Sequence, residues 1–196
     1  MAPPVTKLVV GLGNPGAGYE ATRHNVGFRI VERFASDARL PSFHRKGPAL
    51  ETEGAVDGER VLVMKPQAWM NRSGGPVARR LADVGLGAGD LLVCYDELAL
   101  PLARLRLRPG GSAAGHNGVQ SVIDALGNQD FARLRFGVQP EGRFSDQVSF
   151  VLSPFRKAEQ ELVEEALPLA GRAVACFCLE GIAVAMNRFN GAGAPP

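Results

Sequence analysis

Apolar runs of strand length alternate with helix-periodic stretches from Lys7 to Arg188, and that alternation leaves few folds open. The strand-like runs are Lys7 to Leu12, Ala49 to Val56, Arg60 to Lys65, Asp90 to Tyr95, Ala103 to Arg108 and Arg133 to Val138. Val26, Ile30, Val31 and Phe34 share one face of a helix for which Thr22 is the expected N-cap. Further helices fit Pro76 to Val84, Val119 to Leu126 and Lys157 to Arg188, the last expected to kink or divide at Pro168. Strands separated by helices pair in parallel, whereas Arg60 to Lys65 follows its neighbour closely enough for a hairpin, so the sheet is expected to be mixed. The reading is an α/β fold, one globular domain over residues 7–190 with a twisted mixed β-sheet flanked by helices. Residues 1–6 and 191–196 are read as flexible tails from their Pro, Gly and Ala content. A chain of 196 residues that is 45% hydrophobic can bury a sizeable core without staples.

The gross chemistry excludes more than it identifies. A net charge of +2 is too mild to prove a polyanionic partner, so any nucleic-acid role rests on where the arginines lie. Cys94 sits in an apolar run, and Cys176 and Cys178 are too close together for a disulfide framework, which fits a reduced, cytoplasmic setting. The apolar run Ala173 to Met186 is interrupted by Glu180 and Gly181, too short and too broken to span a bilayer, and no membrane role is expected.

The first strand empties into Gly11-Leu-Gly-Asn-Pro-Gly16, which reads literally as a dinucleotide fingerprint. Such a fingerprint needs a helix beginning inside the glycine motif and an acidic residue ending a second strand about 20 residues on. Here Pro15, Gly16 and Gly18 delay the helix to about Thr22, and the acidic position falls within helical periodicity around Glu32. The glycines are read instead as a tight turn that leaves Asn14 exposed.

Of the histidines, His44 reads as a surface residue and His116 as one that caps, binds or packs before a helix. His24, in the first turn of the helix after the glycine turn, is the base candidate, although such a histidine taken alone is more often structural. Asp96 shifts the balance. It ends a buried-type strand, where a carboxylate can fix an imidazole tautomer and leave the other nitrogen to take a proton from water. No serine or cysteine fits a nucleophile signature, and the histidines and cysteines lack metal-ligand spacing, so direct attack by water without metal or cofactor is the economical mechanism.

Asn14, Asn25, Asn71 and Asn117 lie beside glycine turns or helix starts. Each alone reads as a turn former; together they suggest a neutral amide lining suited to an ester and a peptide backbone. Arg104, Arg106 and Arg108 alternate with leucines, and Arg133 and Arg135 repeat that spacing. This is either a solvated strand face or a phosphate-binding face.

These segments resemble bacterial peptidyl-tRNA hydrolases from about Lys7 to about Phe189. The matching motifs are Gly11 to Gly16 with Tyr19, Thr22-Arg-His-Asn-Val-Gly27, Lys65-Pro-Gln-Ala-Trp-Met-Asn-Arg-Ser-Gly74, Asp96-Glu-Leu-Ala-Leu-Pro101, Gly115-His-Asn-Gly118, Arg133-Leu-Arg-Phe-Gly137 and Val148-Ser-Phe-Val-Leu152. The resemblance implies a single α/β domain that cleaves the ester between a stalled peptide and the terminal ribose of its tRNA, recycling the tRNA without metal or cofactor. It implies His24 as general base and Asp96 as its orienting partner. Asn14, Tyr19, Met70, Asn71 and Asn117 would contact substrate, with Asn71 also aiding the oxyanion, and Arg106, Arg108 and Arg135 would meet tRNA phosphates. A monomer is expected. Trp69 replaces a smaller aromatic residue, Ala99 an aspartate and Ala114 a glycine, and the run Gly137 to Pro140 is one residue short of the usual turn. Two other readings stay open, an RNA-binding adaptor that has lost hydrolysis and a general small-molecule esterase insensitive to salt.

Overall fold

Leu8 and Val10 lie on one side of the first strand and Val9 on the other, and all three are fully buried, so this strand must run through the middle of a sheet covered on both faces. The computed structural model describes residues 4–139 and 146–190. Residues 1–3 of the expected N-terminal tail, the whole expected C-terminal tail and Pro140 of the shortened turn lie outside these. In chain order the elements are β1 (Lys7–Gly11), α1 (Val26–Asp37), β2 (His44–Lys46), β3 (Ala49–Val56), β4 (Glu59–Pro66), α2 (Gly74–Asp83), β5 (Leu91–Pro101), β6 (Leu105–Arg108), α3 (Asn117–Leu126), β7 (Ala132–Gln139), α4 (Gln147–Val151) and α5 (Lys157–Phe189). The strands form one seven-stranded sheet in the order β2-β3-β4-β1-β5-β7-β6.

The expected mixed sheet is present. β1 pairs in parallel with β4 and β5, and β5 with β7, while β2–β3, β3–β4 and β6–β7 are antiparallel. One face packs Val9, Leu92, Cys94 and Leu134 against α1 and α5; the other packs Leu8, Val10, Leu91 and Val93 around α2 and α3. β1, β4, β5 and β7 share a direction, so their carboxyl ends open at one edge of the sheet.

Several boundaries differ from expectation. Asp96 does not end its strand: β5 continues to Pro101 because its pairing with β7 carries on past Glu97 through a register shift. Thr22 does not cap α1. Its hydroxyl donates to the Tyr19 carbonyl, and a 3-10 turn of Arg23–Asn25 precedes the helix. Pro168 does not divide α5, and the residue that leaves helical dihedral angles is Gly181, whose φ of 83° only glycine adopts without strain. By length and composition α5 would suffice to cross a membrane, contrary to the shorter run expected. Here its Val163, Leu167, Ala170, Val174 and Phe177 are spent on the core beside α1. The Cys94 thiol is pushed well above its usual value by burial and the Cys178 thiol up to about 12 by the same cause.

Candidate active site

At the carboxyl edge of the parallel strands a cleft of about 390 Å3 opens, lined by Asn14, Tyr19, His24, Met70, Asn71, Asp96 and Asn117 among others. Every residue expected in the catalytic and substrate-contacting set therefore lines one cavity. The glycine turn brings His24 there by close packing. A Cβ on Gly11 would lie 2.4 Å from the Gly27 carbonyl oxygen, and one on Gly13 2.8 Å from the Phe28 ring, so both glycines let α1 sit against the turn. Of the three motif glycines only Gly16, with φ of 106°, requires the left-handed region.

His24 Nδ1 lies 2.8 and 3.0 Å from the two oxygens of Asp96. His116 Nε2 lies 2.9 Å from the same Asp96 Oδ1, while its Nδ1 accepts from the Val119 N–H at 3.2 Å and so caps α3. That backbone donor assigns the proton of His116 to Nε2, which donates to Asp96. The carboxylate likewise holds the His24 proton on Nδ1, leaving Nε2 with a free lone pair. Asp96 is 3% exposed. Burial pushes its carboxyl up, but the facing imidazoles, His116 ahead of His24, more than offset this and hold it well below the usual carboxylate range. The His24 and His116 ring centroids are 5.0 Å apart, and Tyr95 packs 4.8 Å from His116. Of the three roles open to His116 from sequence, the structure shows capping and packing together, and it adds the contact to Asp96, which no local signal announces.

The carboxamides divide into two groups. Asn14 is 6% exposed, not displayed to solvent as its turn position suggests. Its Oδ1 accepts from the Met70 N–H at 2.8 Å, which leaves Nδ2 as the atom free to donate into the cleft. Asn25 stands outside the lining: its carboxamide accepts from the Asn14 N–H at 2.8 Å and donates to the Asn14 carbonyl at 2.9 Å, a peptide-like clamp on that residue. Asn71, in the 3-10 turn after β4, and Asn117, at the start of α3, are exposed, and their carboxamides carry no hydrogen bond among the described residues. Trp69 is 51% exposed at the mouth, with Tyr19 edge-on at 5.7 Å. Ala114, also in the lining, has φ of 47°, which explains why glycine suits that position.

The arginines separate as well. Leu105 and Leu107 enter the core, leaving Arg106 exposed and Arg108 half-buried on the sheet-edge strand β6, without an ion pair among the described residues. Arg135 is engaged: its Nε donates to Glu97 Oε2 at 2.8 Å, and Glu97 lines the cleft. Arg133 is buried, with its guanidinium donating to the Ser112 carbonyl and resting on the Phe131 ring, and it is not part of an open basic face. His44 lies exposed on the edge strand β2, as expected of a surface residue.

The donor atoms of His24, Asp96 and His116 lie within 4.8 Å of one another, close enough in principle for a metal. The hydrogen bonds argue otherwise. Both imidazole nitrogens facing Asp96 carry protons, and moving the His116 proton to Nδ1 would set it against the Val119 N–H.

The profile of the family described as peptidyl-tRNA hydrolase matches residues 8–195. A peptidyl-tRNA hydrolase of Koribacter versatilis is 44% identical over 191 residues, covering 97% of this chain and 95% of that protein. One of Desulforudis audaxviator is 46% identical over 184 residues, covering 94% and 93%. The crystal structure of peptidyl-tRNA hydrolase from Acinetobacter baumannii superposes with a TM-score of 0.89 at 30% identity, covering 98% of this chain and 99% of that one.

Proposed function

This chain belongs to the peptidyl-tRNA hydrolase family and is an ester hydrolase of that kind, and from that premise we propose that His24 activates the water that cleaves peptidyl-tRNA in the cleft. The observation that supports this most directly is the contact of His24 Nδ1 with both Asp96 oxygens, at 2.8 and 3.0 Å, which assigns the proton to that nitrogen and leaves Nε2 to act as the base.

His24 Nε2 takes a proton from water as the water oxygen attacks the ester carbonyl carbon. The imidazolium so formed is stabilised by the Asp96 carboxylate. Negative charge develops on the former carbonyl oxygen, and the free Nδ2 donors of Asn14 and Asn71 suit it. The bond between the carbonyl carbon and the ribose oxygen then breaks. His24 returns its proton to that oxygen, giving a ribose hydroxyl and a peptide acid that ionises. Asn117, Tyr19 and Met70 are proposed to contact the peptidyl end, and Arg106 and Arg108 to meet tRNA phosphates from the sheet edge. No step calls for a metal or cofactor.

The test is hydrolysis of an N-acetylated aminoacyl-tRNA beside its free-amine counterpart. Wild-type protein is expected to cleave the first and spare the second. His24→Ala is expected to lose on the order of 10²- to 10⁴-fold in kcat while remaining folded. Near wild-type turnover by that variant would remove His24 from the mechanism.

A further inference from the structure

Arg23 stands beside His24 in the same 3-10 turn, yet all its side-chain contacts are with a different part of the chain. It is 2% exposed. Its guanidinium donates to the carbonyls of Ser153 at 3.1 Å and Pro154 at 2.8 Å and to the Ser153 hydroxyl at 2.6 Å, and it pairs with Glu159. Its charge lies 4.2 Å from the centre of the Phe150 ring. Its own N–H donates to the Ser153 carbonyl at 3.1 Å. Glu159 in turn accepts from the Arg156 N–H at 2.7 Å, so one carboxylate ties Arg23 to the start of α5.

Burying a guanidinium this fully is costly, and an apolar residue between Phe150 and Phe155 would fill the space without that cost. What apolar packing lacks is direction. Hydrogen bonds to successive carbonyls fix the height and register of residues 150–154 relative to the turn that carries His24. The segment so fixed includes the end of α4; Val151 and Leu152 from it, and Val148 one turn earlier in α4, line the cleft. Val148 and Leu152 remain 62% and 37% exposed there, apolar surface left open by the described residues.

We propose that Arg23 is a positioning residue for the peptide half of the substrate, holding the α4 wall at a set distance from His24 so that Val148 and Leu152 are preset to receive the peptide. The inference rests on the peptidyl-ester reading of the cleft. Because no hydrogen bond links the Arg23 side chain to His24, Asp96 or Asn14, its loss weakens capture and leaves the chemical step intact.

Arg23→Lys keeps the charge but cannot reach Glu159 and the carbonyls together, and Glu159→Gln keeps Arg23 but replaces its charged partner with a neutral one. On N-acetyl-leucyl-tRNA, Arg23→Lys is expected to raise KM about 10-fold and Glu159→Gln about threefold, each with kcat within about twofold of wild type. Amide exchange at residues 150–155 should speed up in both variants while β1 keeps its protection. A fall in kcat at unchanged KM, a KM unchanged in both, or unaltered exchange would each overturn the proposal. If Arg23→Lys does not fold, Glu159→Gln decides alone. Wild-type protein inactive on this substrate would instead overturn the reading of the cleft, while the exchange rates would still report whether Arg23 holds the wall.

Discussion

Asp96 accepts hydrogen bonds from two imidazoles at once, and that sharing has a consequence for stability as well as for the proposed catalysis. Its folded-state value lies below the unfolded value of about 3.9, so in the acid range the native state binds fewer protons than the unfolded chain. The stabilisation it supplies is therefore fully present above pH about 4 and is lost as pH falls further toward the folded value. Asp96→Asn keeps the shape and one acceptor but removes the charge. Urea unfolding at pH 7 is expected to show the variant about 1 to 3 kcal/mol less stable, with the gap starting to narrow between pH 4 and pH 3 and narrowing further at lower pH. A gap constant over that range would show that the charge of Asp96 contributes nothing to holding the imidazoles. The pairing of His24 with Asp96 was legible in sequence because a base after a strand and a carboxylate on another strand are local signals. The second imidazole was not. His116 reads as a helix cap, which it is, and its contact with Asp96 depends on a loop crossing the sheet edge. Asn25 was misjudged for a related reason, since a carboxamide beside a turn looks the same whether it faces a ligand or clamps its neighbour's backbone.

The approach of α1 to the sheet is set by Gly27 more than by any larger residue. A Cβ there would lie 2.4 Å from the Cys94 carbonyl oxygen, 2.5 Å from that of Leu12 and 2.6 Å from the Leu12 nitrogen, all of them backbone atoms of β5 and the glycine turn. None of these can rotate aside. Gly27→Ala must push α1 away from β1 and β5, and with it His24 from Asp96. We expect a loss of about 2 kcal/mol or more in unfolding free energy, together with a fall in kcat of about 10-fold or more despite the distance of the methyl group from the cleft. Stability lost without activity would mean that His24 and Asp96 move together. The alternation of elements was legible because each long run repeats its period several times. α4 was not, since five residues are too few to show a period, and neither was β2, whose His44, Arg45 and Lys46 are all exposed at a sheet edge. The continuation of β5 past Asp96 depends on its register with β7, a tertiary fact. Pro168 does not divide α5, since the Glu164 carbonyl it leaves without an N–H donor sits on an exposed turn, whereas Gly181 breaks α5 through its own dihedral angles.

For the molecule as a whole, a net charge of +2 gives no general attraction to a polyanion, so tRNA must be met by a local arrangement. β6 supplies one. It lies at the end of the sheet, with its leucines in the core and Arg106 and Arg108 on its other face, in register with Arg135 and Arg133 of β7. Those two neighbours are occupied, Arg135 by Glu97 and Arg133 by the Ser112 carbonyl, which leaves the β6 arginines as the available charges of that row. A phosphate contact releases bound counterions, and its contribution therefore falls as salt rises. Arg106→Ala and Arg108→Ala are each expected to lower the slope of log KM against log salt by about 1 between 50 and 200 mM, with kcat unchanged. Arg135→Ala is expected to behave differently. Freeing Glu97 at the cleft wall should change kcat/KM by a similar factor at every salt concentration, because the group it disturbs is a buried neighbour of Asp96 and not a phosphate contact. Equal salt slopes for wild type and both β6 variants would place the tRNA contacts elsewhere on the surface and return the β6 alternation to an ordinary solvated strand face.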